Sequence, residues 1–152
     1  MSTKQVMQPP GSCNCSNMRR AARAITKIYD KALKPSGLKS TQFAALMHIK
    51  SNGPLNISAL SRIMVLDRTT LVRNIKPLVE AGFIENATTP DPRERQVNIT
   101  ENGRQVINLA LPYWREVQKQ MAHKVGKEDL TSLKRIVTVL EGLIFDNIEA
   151  AI

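Results

Sequence analysis

The segment DRTTLVRNIK, residues 67–76, carries polar side chains matched to the edges of base pairs. A guanidinium can fork onto guanine, a carboxamide can pair with adenine, and threonine hydroxyls serve bases or phosphates alike. Arg73 and Asn74 are therefore the leading candidates for reading bases. Thr69 and Thr70 stand beside them, with Arg68 at the start of the segment and Lys76 adding unspecific charge. A charged loop follows at Thr88 to Arg95 (TTPDPRER), where a basic tip can reach phosphates or a minor groove. A second chemistry sits near the N-terminus, where Cys13 and Cys15 are the only thiols of the chain. The start of a helix and the neighbours Arg19, Arg20 and Arg23 would favour thiolate, the form that reacts with peroxides, so the pair reads as a redox-sensing candidate, beside the plainer reading of two inert, solvent-facing thiols. A Cys13–Cys15 or cross-subunit disulfide would be its oxidised form. The pair supplies at most two metal ligands and nothing places His48 or His123 beside it, so neither a metal nor another cofactor is expected.

These groups need elements to hold them. Asp67 can cap a helix through the amides of Thr69 and Thr70, while Leu71, Val72, Ile75, Leu78 and Val79 give that helix an inward face. Gly82 suits the left-handed residue after its end, and Pro77 inside it predicts a kink. Ile57, Leu60 and Ile63 mark a shorter helix just before, with Val65-Leu66 as the turn between the two. Two β-prone segments come next, Phe83–Ala87 and Gln96–Thr100, which predict a two-stranded ribbon tipped by the charged loop. A helix corner alone is weak evidence for DNA binding, and a charged loop or helix face is ordinarily just solvated surface. Corner, wing and residue chemistry together point one way.

The whole chain bounds the answer. Its 152 residues are 42 % hydrophobic but only 4 % aromatic, enough for one ordinary core built mainly of helices. Lys and Arg outnumber Asp and Glu by 22 to 13, which favours a polyanionic partner. No apolar run approaches the roughly 20 residues of a membrane span, and the expected location is the cytoplasm. The expected organisation is a flexible arm at 1–12, a winged helix-turn-helix at 38–103, and dimerisation helices at 13–37 and 104–152. The first of these helices is amphipathic from Asn17 to Leu33, and the next runs from about Thr41 to Asn52. Thr100 can cap the helix that follows the wing, and Gly126 breaks it. After the break, Leu130, Leu133, Val137, Leu140, Ile144 and Ile148 form a seam-like stripe that a second copy would cover, giving a homodimer. No Gly-rich phosphate loop or nucleophile set is present, so the chain is not read as an enzyme. A helical protein- or RNA-interaction module is the rival from another class.

From about Asn17 to Ile148 the chain resembles the MarR family of winged-helix regulators. The likeness is carried by DRTTLVRNIKPLVEAGFIENATTPDPRERQVNITENGRQ and by GLKSTQFAALMHI. It implies a mainly α dimer that binds double-stranded palindromic operators, often as a repressor, until a small molecule or an oxidant releases it. It also implies that Thr69, Thr70, Arg73 and Asn74 lie on the recognition helix. By the same likeness Arg93 enters the minor groove with Asp91 orienting it, and Arg95 supports the wing or a phosphate. Ser58 completes the DNA-binding set. The peroxide-sensing branch of the family aligns its reactive cysteine with Cys15, although of the three tyrosines used there only Tyr29 is present, Arg19 and Ser40 replacing the others. A small apolar or phenolic ligand between the dimer helices and the winged unit is the alternative signal.

Overall fold

The computed structural model describes residue 11, residues 13–91 and residues 94–149. Helix α1 spans Asn14–Leu33 and passes through a tight helical turn, Lys34–Ser36, into α2, Ser40–Asn52. α1 starts earlier than its apolar spacing predicts because Cys13 acts as its cap, Sγ accepting from the Ser16 amide at 3.5 Å. The helix-turn-helix is α3, Ile57–Ile63, and α4, Arg68–Glu80. Strands β2, Ile84–Ala87, and β3, Gln96–Ile99, form the wing, and α5, Glu101–Val125, and α6, Lys127–Glu149, complete the chain. No helix among the described residues is long and apolar enough to cross a membrane.

The expected ribbon of β2 and β3 is present, and Leu55–Asn56 adds a short strand, β1, on the other side of β3, giving three antiparallel strands in the order β1-β3-β2. Leu55 pairs with Val97 and Asn56 with Gln96 on one side of β3, while Ile84 pairs with Ile99 on the other. Two residues are too few to show an alternating pattern, so only the pairing reveals this strand.

Both helices of the corner end in the same way. After α4, the Gly82 amide donates to the Val79 carbonyl at 3.0 Å and the Phe83 amide to Leu78 at 2.9 Å, with Gly82 left-handed at φ +70°. After α3, the Val65 amide donates to Arg62 at 3.1 Å and the Leu66 amide to Ser61 at 2.9 Å, with Val65 left-handed at φ +51°. Glycine takes this conformation freely, whereas a β-branched residue is strained in it. α4 runs unbroken through Pro77. The proline is exposed, so the Arg73 carbonyl that loses its helical partner lies towards solvent, where water can satisfy it.

One contiguous core joins α1 to α5 and the sheet. It takes Leu33 from α1, Leu46 and Ile49 from α2, Leu71, Ile75 and Leu78 from α4, Val97 and Ile99 from β3, and Ile107 and Ala110 from α5. The start of α5 is fixed against the exit of α4. The Thr100 hydroxyl donates to the Gly82 carbonyl at 2.6 Å and accepts from the Gly103 amide at 3.0 Å, while the Thr100 amide donates to the Phe83 carbonyl at 3.1 Å. Gly103 permits this approach, since a Cβ there would collide with the Phe83 carbonyl oxygen and lie 2.8 Å from Ile99 Cγ1.

Gly103→Ala is expected to lower stability. A backbone clash costs about 1–3 kcal/mol, and the helix propensity gained by alanine returns about 1 kcal/mol. The net loss should lower Tm by several degrees in a thermal melt. Val65→Gly is expected to do the reverse. Removing about 1–2 kcal/mol of left-handed strain outweighs the greater chain entropy of glycine, about 0.5–1 kcal/mol, and Tm should rise by roughly 1–4 °C.

Candidate nucleic-acid interface

The surface of α4 is built from its cap outward. Asp67 Oδ1 accepts from the Thr70 amide at 2.8 Å, and the Thr70 hydroxyl donates to Asp67 Oδ2 at 2.5 Å. These bonds, the side-chain one first, hold the Asp67 carboxyl below its ordinary range. The sign follows: a group whose pKa is depressed on folding contributes stability above its unfolded value and loses it only as pH falls through the folded one, so this cap is intact at neutral pH. Thr70 is consequently half-buried and its proton is committed, leaving its oxygen as an acceptor. Asn74 is half-buried too, its Nδ2 donating to the Thr70 carbonyl at 3.1 Å.

Arg68, Thr69 and Arg73 are exposed. Lys76 is exposed and pairs with Glu80 at 3.7 Å, a contact between solvated side chains of the kind that contributes little to stability. Of the polar groups on α4, Arg68, Thr69 and Arg73 are thus presented to an incoming partner without a bonded neighbour on the helix among the described residues, while Thr70 and Asn74 are held in place by the helix itself.

The base of the wing brings one further cation, Arg95, beside the start of α4. A notch of about 150 Å³ is lined by Asn56, Ile57, Ser58, Arg68, Glu94 and Arg95. It gathers the start of α3, the start of α4 and the base of the wing. The Ile57 amide donates to the Arg95 carbonyl at 3.1 Å, closing the contact between α3 and β3. Arg95 Nε reaches Asn86 Oδ1 at 3.4 Å across the ribbon. Ser58, Arg68 and Arg95, dispersed in sequence, therefore face one small polar space. Glu94 shares it, its Oε2 accepting from Gln96 Nε2 at 3.2 Å.

The wing tip is organised by Thr89, whose hydroxyl donates to the Asp91 carbonyl at 2.5 Å, and by the Glu94 amide, which donates to the same carbonyl at 3.0 Å. Arg93 lies outside the described residues, and with it the expected support from Asp91. Residue types alone did not single out Thr89, Asn86 or Glu94. Asn86 joins the site through strand register and Thr89 through a closed turn, neither of which is visible in composition.

The thiols lie apart from this surface. Cys13 and Cys15 are free and exposed at the N-terminal end of α1. Between α1, α2 and α5 a pocket of about 340 Å³ is lined by Tyr29, Leu33, Ser40, Phe43, Ala44, Met47, His48 and Trp114. The Phe43 and Trp114 rings pack with centroids 6.0 Å apart, and partial burial pushes the Tyr29 phenol up from its ordinary value.

Residues 38–93 match the family model described as the MarR family. The HTH-type transcriptional regulator SarZ of Staphylococcus epidermidis is 32 % identical over 90 residues, covering 59 % of this chain and 61 % of SarZ. The chain likewise spans 61 % of YwoH of Bacillus subtilis, an HTH-type transcriptional regulator 30 % identical over 84 residues. Over nearly full length, the structure of the M. tuberculosis transcriptional regulator MosR in complex with DNA is similar with a TM-score of 0.78 and 34 % identity, covering 88 % of this chain and 97 % of that one. An E. coli MarR variant complexed with operator DNA shares the fold, with a TM-score of 0.73 at 17 % identity over 82 % of this chain and 90 % of that one. A winged helix-turn-helix on a six-helix frame, the family model and the near-complete likeness to MosR lead to one conclusion: the chain belongs to the MarR family of winged-helix transcriptional regulators.

Proposed function

We propose that this chain acts in the cytoplasm as a homodimeric repressor that grips a palindromic operator with two copies of α4 and their wings, and that oxidation of Cys13 and Cys15 releases it. The observation that carries the DNA reading is the common face of α4 and the wing. Arg73 and Thr69 stand exposed for bases on the helix whose first residue, Arg68, lines a polar notch with Ser58, Arg95 and Glu94, where the two guanidinium groups outnumber the one carboxylate and suit a phosphate. The DNA complex of MosR supports the same partner. By the family likeness Arg93 is assigned to the minor groove, and Lys76 to the phosphates.

The dimer reading rests on α6. Leu133, Val137, Leu140 and Ile144 are 42 %, 43 %, 43 % and 47 % exposed along one stripe. A second copy covers such a face with its own and produces the two-fold symmetry that a palindrome requires. Half-site centres should then lie about one helical turn apart, roughly 34–36 Å.

The signal reading rests on two exposed free thiols, one of which caps α1. A thiolate attacks the O–O bond of a peroxide, leaving a sulfenic acid and releasing water or alcohol. The second thiol then displaces water to form a disulfide, so two thiols lose two electrons to one peroxide. A second reading is favoured by the pocket at Tyr29, Ser40 and His48, whose few polar groups among apolar walls suit a small apolar or phenolic ligand.

Arg73→Ala should weaken operator binding by about 10- to 100-fold and relax discrimination at one base, with the melting temperature unchanged. Arg95→Ala should weaken all duplexes alike and reduce the salt slope by about 1. If Arg73→Ala binds the operator like the parent, or if structured RNA is preferred to duplex, the docking is wrong. For the signal, peroxide should release the operator from the parent protein, with recovery on adding a thiol reductant, and should leave Cys15→Ser bound. Equal release from both proteins sinks the redox reading, and release by phenols alone favours the pocket.

A further inference from the structure

Asp30 is the sole carboxylate among residues 1–40, on a helix that carries Lys27 and Lys31 close by. It forms no ion pair with them within the described residues. Its Oδ1 instead accepts twice from Ser40, ten residues away, from the amide at 2.7 Å and from the hydroxyl at 2.6 Å. Asp30 belongs to the last turns of α1 and Ser40 is the first residue of α2. A carboxylate from one helix therefore satisfies the positive end of another. Among the described residues these are the only hydrogen bonds that run from α1 to α2.

The connection between the helices is otherwise secured at its own residues. The buried Ser36 hydroxyl donates to the Leu33 carbonyl at 2.6 Å and accepts from the Leu38 amide at 3.3 Å. Gly37, at φ +76°, follows as the point where the chain turns. These bonds shape the corner but leave the angle between the two helix bodies to side-chain packing and to Asp30. That angle matters because α2 buries Leu46 and Ile49 in the core shared with Leu71, Ile75 and Leu78 of α4.

We infer that Asp30 is a positioning residue: by holding the end of α1 to the start of α2 it sets the angle between the dimer helices and the winged unit, and so the separation of the two recognition helices. The inference rests on the dimeric operator-binding reading above. One base pair moves a half-site by about 3.4 Å along the duplex and rotates it by roughly a tenth of a turn. A loosened corner therefore shows itself as tolerance of the wrong spacing. Charge-assisted hydrogen bonds are short and among the stronger polar ties, and this one receives two donors.

The test compares full-length parent, Asp30→Ala, and Asp30→Ala/Lys39→Asp, in which a local carboxylate caps α2 without reaching α1. Each is titrated against duplexes whose half-sites stand at the optimal separation or one base pair closer or farther, and each is melted. The parent should prefer the optimal spacing by about tenfold or more. Asp30→Ala should melt lower and discriminate less. The double variant should regain the melting temperature while its preference stays below about threefold. Full discrimination in either variant overturns the inference, because Asp30 would then be a helix cap and nothing more. If the parent itself ignores palindromic duplexes, it is the dimeric operator reading that fails, a result distinct from either variant outcome.

Discussion

The contact between Thr100 and the Gly82-Phe83 backbone ties α4, the wing and α5 into one unit. β2 follows α4 almost at once and β3 leads directly into α5, so the pairing of Ile84 with Ile99 brings the exit of α4 against the entrance of the long helix. Thr100 then serves as cap and as clasp, accepting from Gly103 and donating to Gly82. The close approach depends on Gly103, where even one methyl group meets main-chain oxygen. The wing is therefore no independent hairpin, which would be marginal in water. It is the link that fixes α4 to α5.

Reader and frame are consequently one packed object. Leu33 of α1 and Ala110 of α5 lie in the same cluster as Leu71 and Ile75 of α4. Of α1 only its last residue, Leu33, is buried in that cluster, and the polar tie at Asp30 joins the same end of the helix to α2.

The sequence was legible where residue type and backbone conformation coincide. Gly82 advertises a left-handed end, Asp67 and Thr100 advertise caps, and the stripe from Leu71 to Val79 advertises a buried face; all of these stand where the residues place them. Val65 adopts the same left-handed conformation as Gly82, yet nothing about valine announces it. Cys13 caps a helix although sulfur is a weak acceptor, which is why spacing alone started α1 too late. β1 was invisible because two residues have no period. The candidate site divides similarly. Arg68, Thr69 and Arg73 are exposed as their place on an amphipathic helix requires, whereas the meeting of Ser58, Arg68 and Arg95 at one notch is a product of strand register and tertiary closure.

The shared core also bears on how the protein is made. Leu33 and Leu38 are synthesised early and Ile107 and Ala110 late, yet each is almost completely shielded from water in the same cluster. A nascent chain that has completed α3, α4 and the wing still lacks α5, and the apolar faces meant for it stay wet until the ribosome has released residues beyond 110. Closure of the reading head thus waits on the helix that also belongs to the frame. A polypeptide interrupted before that helix presents uncovered apolar surface to chaperones and proteases, not a stable half-regulator occupying DNA, so the architecture makes completeness a condition of acquiring the fold.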